Sequence, residues 1–349
     1  MISVWGGCSN TVRRNNSKMR YLLNLTAITA SLVLLCVSLL GFAGSVFWLF
    51  DLFNHFRVQY LVASLLGLFL AFVLRSKCLT WAFICIALFN GFFIVPLYFP
   101  RPEKPKFLHE VSIVSYNTWR YNGDWASVFI VLEEDDPDIA YFTEVHSSIR
   151  TRISELESEF HIFQIGSDVL LVRRTARLSP KIIDGSVGHR ISGIPVTLSV
   201  AGIDVALLAV HPAAPRSDIT AGQRDQSFAA IASFVENYEG FVIVCGDLNA
   251  TPWSHAFRVL QERTGLLNSQ KSFGLQSTWP SYPGSKFNWL FRIPIDHCLH
   301  SPAIYTIDRR IGLARQSNHS PISLRLGIPT GAEQDSAHQS TTRPESKSE

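Results

Sequence analysis

The chain has 349 residues, 47% of them hydrophobic and only 17% charged, with 31 Lys/Arg against 28 Asp/Glu and a formal net charge of +3. That total joins two unlike parts: residues 1–106 hold ten basic and two acidic side chains, whereas residues 107–349 hold 21 basic and 26 acidic ones. A first hundred residues so apolar and so poor in charge exclude a simple soluble protein and a disordered one, and the length allows two to three structural units.

In chain order, the first elements are three apolar stretches, Leu22 to Phe50, Val58 to Leu74 and Leu79 to Phe99. Only Asp51 to Arg57 and Arg75 to Lys77 interrupt them. About 20 apolar residues cross a bilayer core and about 17 suffice, so each stretch is expected to span once. The first is too long for a signal peptide's apolar region and is expected to break near Gly41 or Gly44. Arg13, Arg14, Lys18 and Arg20 precede the first span and Arg75 and Lys77 lie in the second connection, on one side of a three-span topology. Basic flanks mark the cytoplasmic side. The expectation is therefore a cytoplasmic tail over 1–21, three transmembrane helices over 22–99 in the inner membrane, and a periplasmic or otherwise extracytoplasmic remainder.

Prolines at 100, 102 and 105 make residues 100–106 a stiff linker. Strands are expected at Val111 to Ser115, Ile139 to Phe142, Val169 to Val172, Val196 to Val200, Val205 to Val210, Phe241 to Cys245, Ile295 to Leu299 and Ile322 to Leu326. Helices are expected at Trp125 to Leu132, Ile149 to Glu159, Gln223 to Tyr238 and Ser254 to Thr264, the third with Phe228, Ile231, Phe234 and Val235 on one face. Strands alternating with helices in this way imply one layered α/β or α+β domain over 107–327. Residues 328–349 turn to Ser, Thr, Gln, Glu and Pro, the composition of a disordered tail. Cys245 and Cys298 lie in apolar runs and are expected to be separate buried thiols rather than a disulfide.

Polar residues gather where these strands end, the place where a rigid scaffold presents functional groups. The runs close on Tyr116-Asn117-Thr118, Thr143-Glu144-Val145, Val210-His211-Pro212, Gly246-Asp247-Leu248-Asn249, Ile295-Asp296-His297 and Ser317-Asn318-His319. Singly, Asn117 reads as a turn residue and Glu144 as a solvated strand end, whereas Asp247 and Asn249, two apart after Gly246, present two polar heads to one site, with an Asx turn the lesser alternative. Their order is more specific. Read together they resemble the endonuclease/exonuclease/phosphatase superfamily, which contains pancreatic deoxyribonuclease, abasic-site endonucleases, inositol-polyphosphate phosphatases and neutral sphingomyelinases. The strongest elements are GDLNATPWS from Gly246 and RIPIDHCL from Arg292, and the preceding spans make the chain similar to the membrane-anchored bacterial YafD-like branch.

The resemblance implies a four-layer α+β sandwich, two mixed β-sheets packed face to face between helices, behind N-terminal transmembrane helices. It implies a divalent metal, Mg²⁺ or Mn²⁺, with Glu144 as anionic ligand and Asn117 and Asn318 as neutral oxygen partners. It further implies His211 and His319 beside phosphate, Asp296 orienting His319, Asp247 handling the attacking water, and Asn249 donating to a non-bridging oxygen. Arg216, Arg224 and Trp279 are candidate substrate contacts, although arginines there are more often solvated surface residues and such a tryptophan more often a core aromatic. The implied activity is metal-dependent hydrolysis of a phosphate ester. One position departs from the family pattern: Ser-Asp-His is usual before the last strand, and here the triplet is Ser317-Asn318-His319. One fewer carboxylate weakens hard-cation binding, which motivates a competing reading, a non-catalytic envelope protein that keeps the fold. Residues 107–327 carry 19 basic against 22 acidic side chains, no strong footprint for nucleic acid.

Overall fold

A computed structural model describes residues 5–100, 105, 108–175, 177–282, 284–285 and 287–330, with side-chain surroundings from Lys18 onward. Most of the proline linker and the tail from 331 onward lie outside the described residues. The chain forms two compact units, Met1–Pro96 and Leu97–Glu349.

The first unit is helical: α1 (Trp5–Leu40), a 3-10 turn over Gly41–Ser45, α2 (Trp48–Leu52), a second 3-10 turn over Phe53–Phe56, α3 (Arg57–Leu74) and α4 (Lys77–Ile94). Three segments, Lys18–Ser45, Trp48–Leu74 and Lys77–Tyr98, are long and apolar enough to cross a membrane. The first breaks at Gly41, where a β-carbon would collide with the Asn54 side chain and where Asn54 Nδ2 instead donates to the freed Gly41 carbonyl at 2.7 Å. Arg57, which closes the first polar break in the sequence, is buried. Its guanidinium donates to Ser38 O at 2.9 Å, Asn54 Oδ1 at 2.6 Å and Asn90 Oδ1 at 3.2 Å, and it sits 4.6 Å from the Phe93 ring centroid. Polar groups among apolar helices are costly unless they satisfy one another. That is why these turn inward while Leu66, Phe69 and Phe72 stay exposed.

The second unit holds two six-stranded sheets. In chain order its elements are β1 (Leu108–Asn117), α5 (Ala126–Asp135), β2 (Ile139–Thr143), α6 (Ser147–Ile153), β3 (Phe160–Ile165), β4 (Asp168–Arg173), β5 (Leu178–Ile182), α7 (Gly185–Ile191), β6 (Gly193–Val200), β7 (Ile203–Val210), α8 (Asp218–Asn237), β8 (Phe241–Asp247), α9 (His255–Thr264), β9 (Leu267–Asn268), α10 (Asn288–Phe291), β10 (Asp296–His300), β11 (Tyr305–Ile311) and β12 (Ile322–Pro329). One sheet runs β11-β12-β1-β2-β4-β3 and the other β5-β6-β7-β8-β10-β9. Both are mixed, with β1 parallel to β2 and β7 parallel to β8.

Alternate residues of each interior strand are buried on opposite faces, which is why these strands read as nearly unbroken apolar runs. Val111 and Ile113 of β1 join Leu207 and Ile243 in the core between the sheets. Val114 and Tyr116 pack outward on Val128 and Val131 of α5, and Leu208 and Val244 pack on Phe228, Ile231 and Phe257 of α8 and α9. The result is the helix, sheet, sheet, helix sandwich expected from the sequence. The eight strands expected are all present, and the four not foreseen, β3, β5, β9 and β11, are the four sheet edges.

The expectation of two separate thiols is overturned, because Cys245 and Cys298 form a disulfide. They face each other directly in the antiparallel pairing of β8 with β10, and their 53-residue separation in sequence conceals that neighbourhood. The disordered tail was placed one strand end too early, since β12 continues through Ile328 and Pro329 by pairing with His109 and Leu108.

Candidate active site

Parallel pairing sets Asn117 opposite Thr143, so the ends of β1 and β2 bring Asn117 and Glu144 to one rim. In the facing sheet, Val210 pairs with Gly246 and Asp247 with Asp296, so His211, Asp247 and Asp296 reach the same rim from β7, β8 and β10. Gly246 is required there: at φ +152° any β-carbon would strike the Val210 carbonyl. Three non-glycine residues at the rim, Trp119, Glu144 and Asn249, hold positive φ values of 67°, 52° and 49°. Such backbone is uncommon and concentrates at functional sites.

The side chains form one connected set. His319 Nδ1 lies 2.9 Å from Asp296 Oδ2 and its Nε2 3.7 Å from Asp247 Oδ2. Asn117 Nδ2 donates to Asp247 Oδ2 at 3.0 Å and to Glu144 Oε1 at 3.4 Å, while its carbonyl oxygen accepts from the Trp119 amide at 3.0 Å. A backbone N–H can only donate, which fixes the amide's orientation. Asn117 thus bridges the two carboxylates through nitrogen rather than offering its oxygen. His211 Nε2 stands 3.9 Å from both Glu144 Oε1 and Asp247 Oδ2. The Asn249 amide donates to Asp247 Oδ1 at 2.9 Å and its side chain to Pro212 O at 3.0 Å.

Charge follows this geometry. Burial works to raise the Glu144 carboxyl, but the Arg120 hydrogen bond and the His211 charge outweigh it and hold Glu144 down to about 2. Burial opposes protonation of His211, yet hydrogen bonding to Asp168 and the surrounding carboxylates push it up to about 9. His319 is raised likewise against burial by Asp296 and Asp247. Asp247 is raised by burial and by the charge of Asp296, the direction that suits a proton acceptor.

Three participants escaped the sequence reading. Asp168, at the turn into β4, accepts from the Glu144 amide at 3.2 Å and from Tyr141 Oη at 3.1 Å and faces His211 Nδ1 at 3.6 Å. An Asp between two strands looks like an ordinary turn former. Arg120 reaches Glu144 Oε2 with Nε at 3.0 Å. Ser317 donates to Asn117 O at 2.7 Å and accepts from the His319 amide at 3.0 Å, tying the last loop to β1. Trp279 is half-buried, its ring centroid 6.4 Å from that of His319. Arg216 is exposed on the loop after β7. Arg224 is not a solvated surface arginine: it is buried in α8 beside Asp225, 2.8 Å away.

The donor set fits a hard cation, which takes carboxylate and amide oxygens. Asn318 Oδ1 is buried with no hydrogen-bond partner among the described residues, and Glu144 is a fully ionised carboxylate. Atoms of Asp247, Asp296 and His319 also lie within 4.8 Å of one another. There Asp296 and His319 bond each other at 2.9 Å, whereas Glu144 offers an ionised carboxylate and Asn318 an unpartnered oxygen, the hard donors such a cation takes.

Beneath Asp296 the structure is sensitive to acid. His297 is fully buried, its Nε2 bonded to Ala250 O at 3.0 Å and Pro294 O at 3.1 Å. Burial, with Arg309 nearby, lowers it to about 4. The unfolded chain gains a proton near pH 6.5 that the folded domain refuses until about pH 4, so this stability is intact above 6.5 and lost as pH falls toward 4. The loss approaches about 3 kcal/mol. Urea unfolding of residues 97–330 should therefore show a His297→Gln variant losing less stability than wild type between pH 7.5 and 5; equal losses would refute the assignment.

A double-sheet sandwich with carboxylates, histidines and amides on one rim defines a phosphoesterase-type architecture. Residues 114–319 match the model of the Endonuclease/Exonuclease/phosphatase family, and the chain belongs to that family. No curated protein matches it. A solved structure of D. rerio TDP2 complexed with single-strand DNA product is similar at 14% identity with TM-score 0.51, covering 62% of this chain and 98% of that one. A family protein from Bacteroides thetaiotaomicron is similar at 13% identity and TM-score 0.48, over 65% of this chain and 99% of that one. Truncated Caenorhabditis elegans TDP2 gives 17% and 0.48 over 63% and 98%.

Proposed function

We propose that the chain is a membrane-anchored, divalent-metal-dependent phosphoesterase whose catalytic domain works outside the cytoplasm on phosphodiester or phosphomonoester bonds. The observation that carries this reading is His319 held between Asp296 at 2.9 Å and Asp247 at 3.7 Å, with Asn117 linking Asp247 to Glu144. Mg²⁺ or Mn²⁺ held by Glu144 with Asn318 supplies Lewis-acid polarisation of a phosphoryl oxygen when bound.

The chain's own residues do the rest. Asp247 orients the attacking water and takes its proton. His211 and His319, both raised, offer positive N–H donors to non-bridging oxygens, and Asn249 adds a neutral one. Asp296 keeps Nδ1 of His319 protonated and turns Nε2 toward the phosphate. The basic flanks of the apolar helices and the Cys245–Cys298 disulfide both support an extracytoplasmic domain, since disulfides persist in oxidising compartments. The acidic balance of the domain favours a compact or membrane-borne phosphate ester over long DNA.

Residues 97–330 should hydrolyse bis-p-nitrophenyl phosphate with Mg²⁺ or Mn²⁺ and stop on EDTA; equal turnover by a Glu144→Ala, His319→Ala double variant would falsify the mechanism. Asn318 favours a second reading, a non-catalytic protein on the same fold. An Asn318→Asp variant decides between them. Adding the missing charge should tighten Mn²⁺ binding about tenfold in calorimetry, and an enzyme gains turnover at limiting metal, whereas a binding protein stays silent.

A further inference from the structure

The connection from Ser269 to Ile295, which leads into Asp296, contains Lys271, Lys286 and Arg292 and no acidic residue, within a domain that is acidic overall. At its tip the large apolar side chains face outward. Tyr282 is 42% exposed, Phe287 67%, Trp289 68%, Leu290 39% and Phe291 59%. Soluble surfaces show single exposed apolar residues; contiguous groups mark an interaction surface. The group also reaches the site. Tyr282 packs edge-on against Trp119 at 6.1 Å, and Trp119, whose amide is bonded to Asn117, packs on Tyr121 at 5.6 Å. Tyr121 is 76% exposed. Trp119, Tyr121 and Tyr282 line one open cleft with Asn122 and Asp124.

We infer that the Tyr282–Phe291 tip is an interfacial lipid-contacting loop, and that the aromatic cleft behind it receives the phosphate ester of a bilayer phospholipid. The substrate half of this inference rests on the phosphoesterase reading above; the lipid contact does not. Tryptophan and phenylalanine with a neighbouring lysine are side chains that settle at a membrane interface, the rings in the acyl boundary and the cation on anionic headgroups; the sequence supplies Lys286 there, while Arg292 donates inward to the Ser281 and Ser320 hydroxyls. Three apolar helices in the same chain keep the domain within reach of a bilayer, because the stretch from Tyr98 to Leu108 spans about 35 Å at most. The domain's first residues are tied to this same connection, with Leu97 O accepting from the Ser272 and Gly274 amides at 2.8 and 3.0 Å. Single-stranded nucleic acid also uses aromatic rings and cations. It stacks on rings spaced along a basic groove, whereas here Phe287, Trp289, Leu290 and Phe291 crowd one short turn and include an aliphatic side chain.

The test uses the full chain in vesicles of phosphatidylcholine with phosphatidylglycerol. The Trp289 fluorescence, taken as wild type minus Trp289→Phe, should be quenched by lipids brominated on the acyl chain and shielded from aqueous acrylamide; the reverse pattern overturns the lipid contact. A Phe287→Ser, Trp289→Ser, Phe291→Ser variant should keep hydrolysis of bis-p-nitrophenyl phosphate within about twofold and lose at least about tenfold on phosphatidylglycerol. Equal rates on the lipid, or a selective loss on a single-stranded oligonucleotide, would refute the lipid substrate. Should the wild type cleave nothing with metal present, the phosphoesterase reading and the substrate half fall together, and the quenching result alone still decides whether the tip meets lipid.

Discussion

A Glu144→Gln protein should lose about 10³-fold or more in kcat/KM on bis-p-nitrophenyl phosphate, with Mn²⁺ affinity falling in parallel. Glu144 is the ionised carboxylate best placed for a hard cation: it follows β2 directly, its carboxyl is held down to about 2, and Asn117 and Arg120 fix both of its oxygens. Glutamine preserves the shape and one oxygen but removes the charge, and charge count dominates affinity for Mg²⁺-like ions. The Asn117 bond to Asp247 at 3.0 Å does not depend on Glu144. Stability of the domain should therefore change little while activity and metal binding collapse together. Calorimetric Mn²⁺ titration alongside steady-state kinetics checks this; lost activity with unaltered affinity would place the ion elsewhere on the rim.

The parts of this molecule legible in the sequence are those buried on both sides. The eight interior strands carry mostly buried runs because their faces meet a sheet or a helix layer. The edge strands β3, β5, β9 and β11 mix solvent-facing His161, Gln164, Pro180, Lys181, Asp308 and Arg310 into short runs, and pattern alone cannot separate them from loops. The candidate site was legible for the same reason as the interior strands: Asn117, Glu144, His211, Asp247 and Asp296 each stand at an end of one, where an abrupt change from apolar to polar is visible. Asp168 sits at the entry to a strand, inside a hairpin turn that has its own use for aspartate. The Cys245–Cys298 pairing and the Asn117 bridge depend on register between strands far apart in the chain, and no local pattern encodes register. The burial of Arg224 was not legible because a helix periodicity says which face is buried only after the partner layer is known.

Asp247→Asn and His319→Ala should each reduce kcat/KM by about 10³-fold, and the double variant should fall no more than about tenfold below the worse single one. Independent groups would multiply to about 10⁶. The reason for strong non-additivity is the geometry: Asp247 Oδ2 is at once 3.7 Å from His319 Nε2 and 3.0 Å from Asn117 Nδ2. Removing His319 takes away a positive partner that lowers Asp247, so burial and the charge of Asp296 push its carboxyl further up. A carboxyl pushed further up accepts from water less readily at a given pH, so the first substitution already weakens the second group. The same coupling runs the other way, because His319 is raised in part by Asp247. A His211→Ala substitution combined with His319→Ala offers the contrast, since His211 takes its support chiefly from Asp168. That pair should lie closer to the product of its single losses, and additive behaviour of Asp247 with His319 would show that the two act on separate steps.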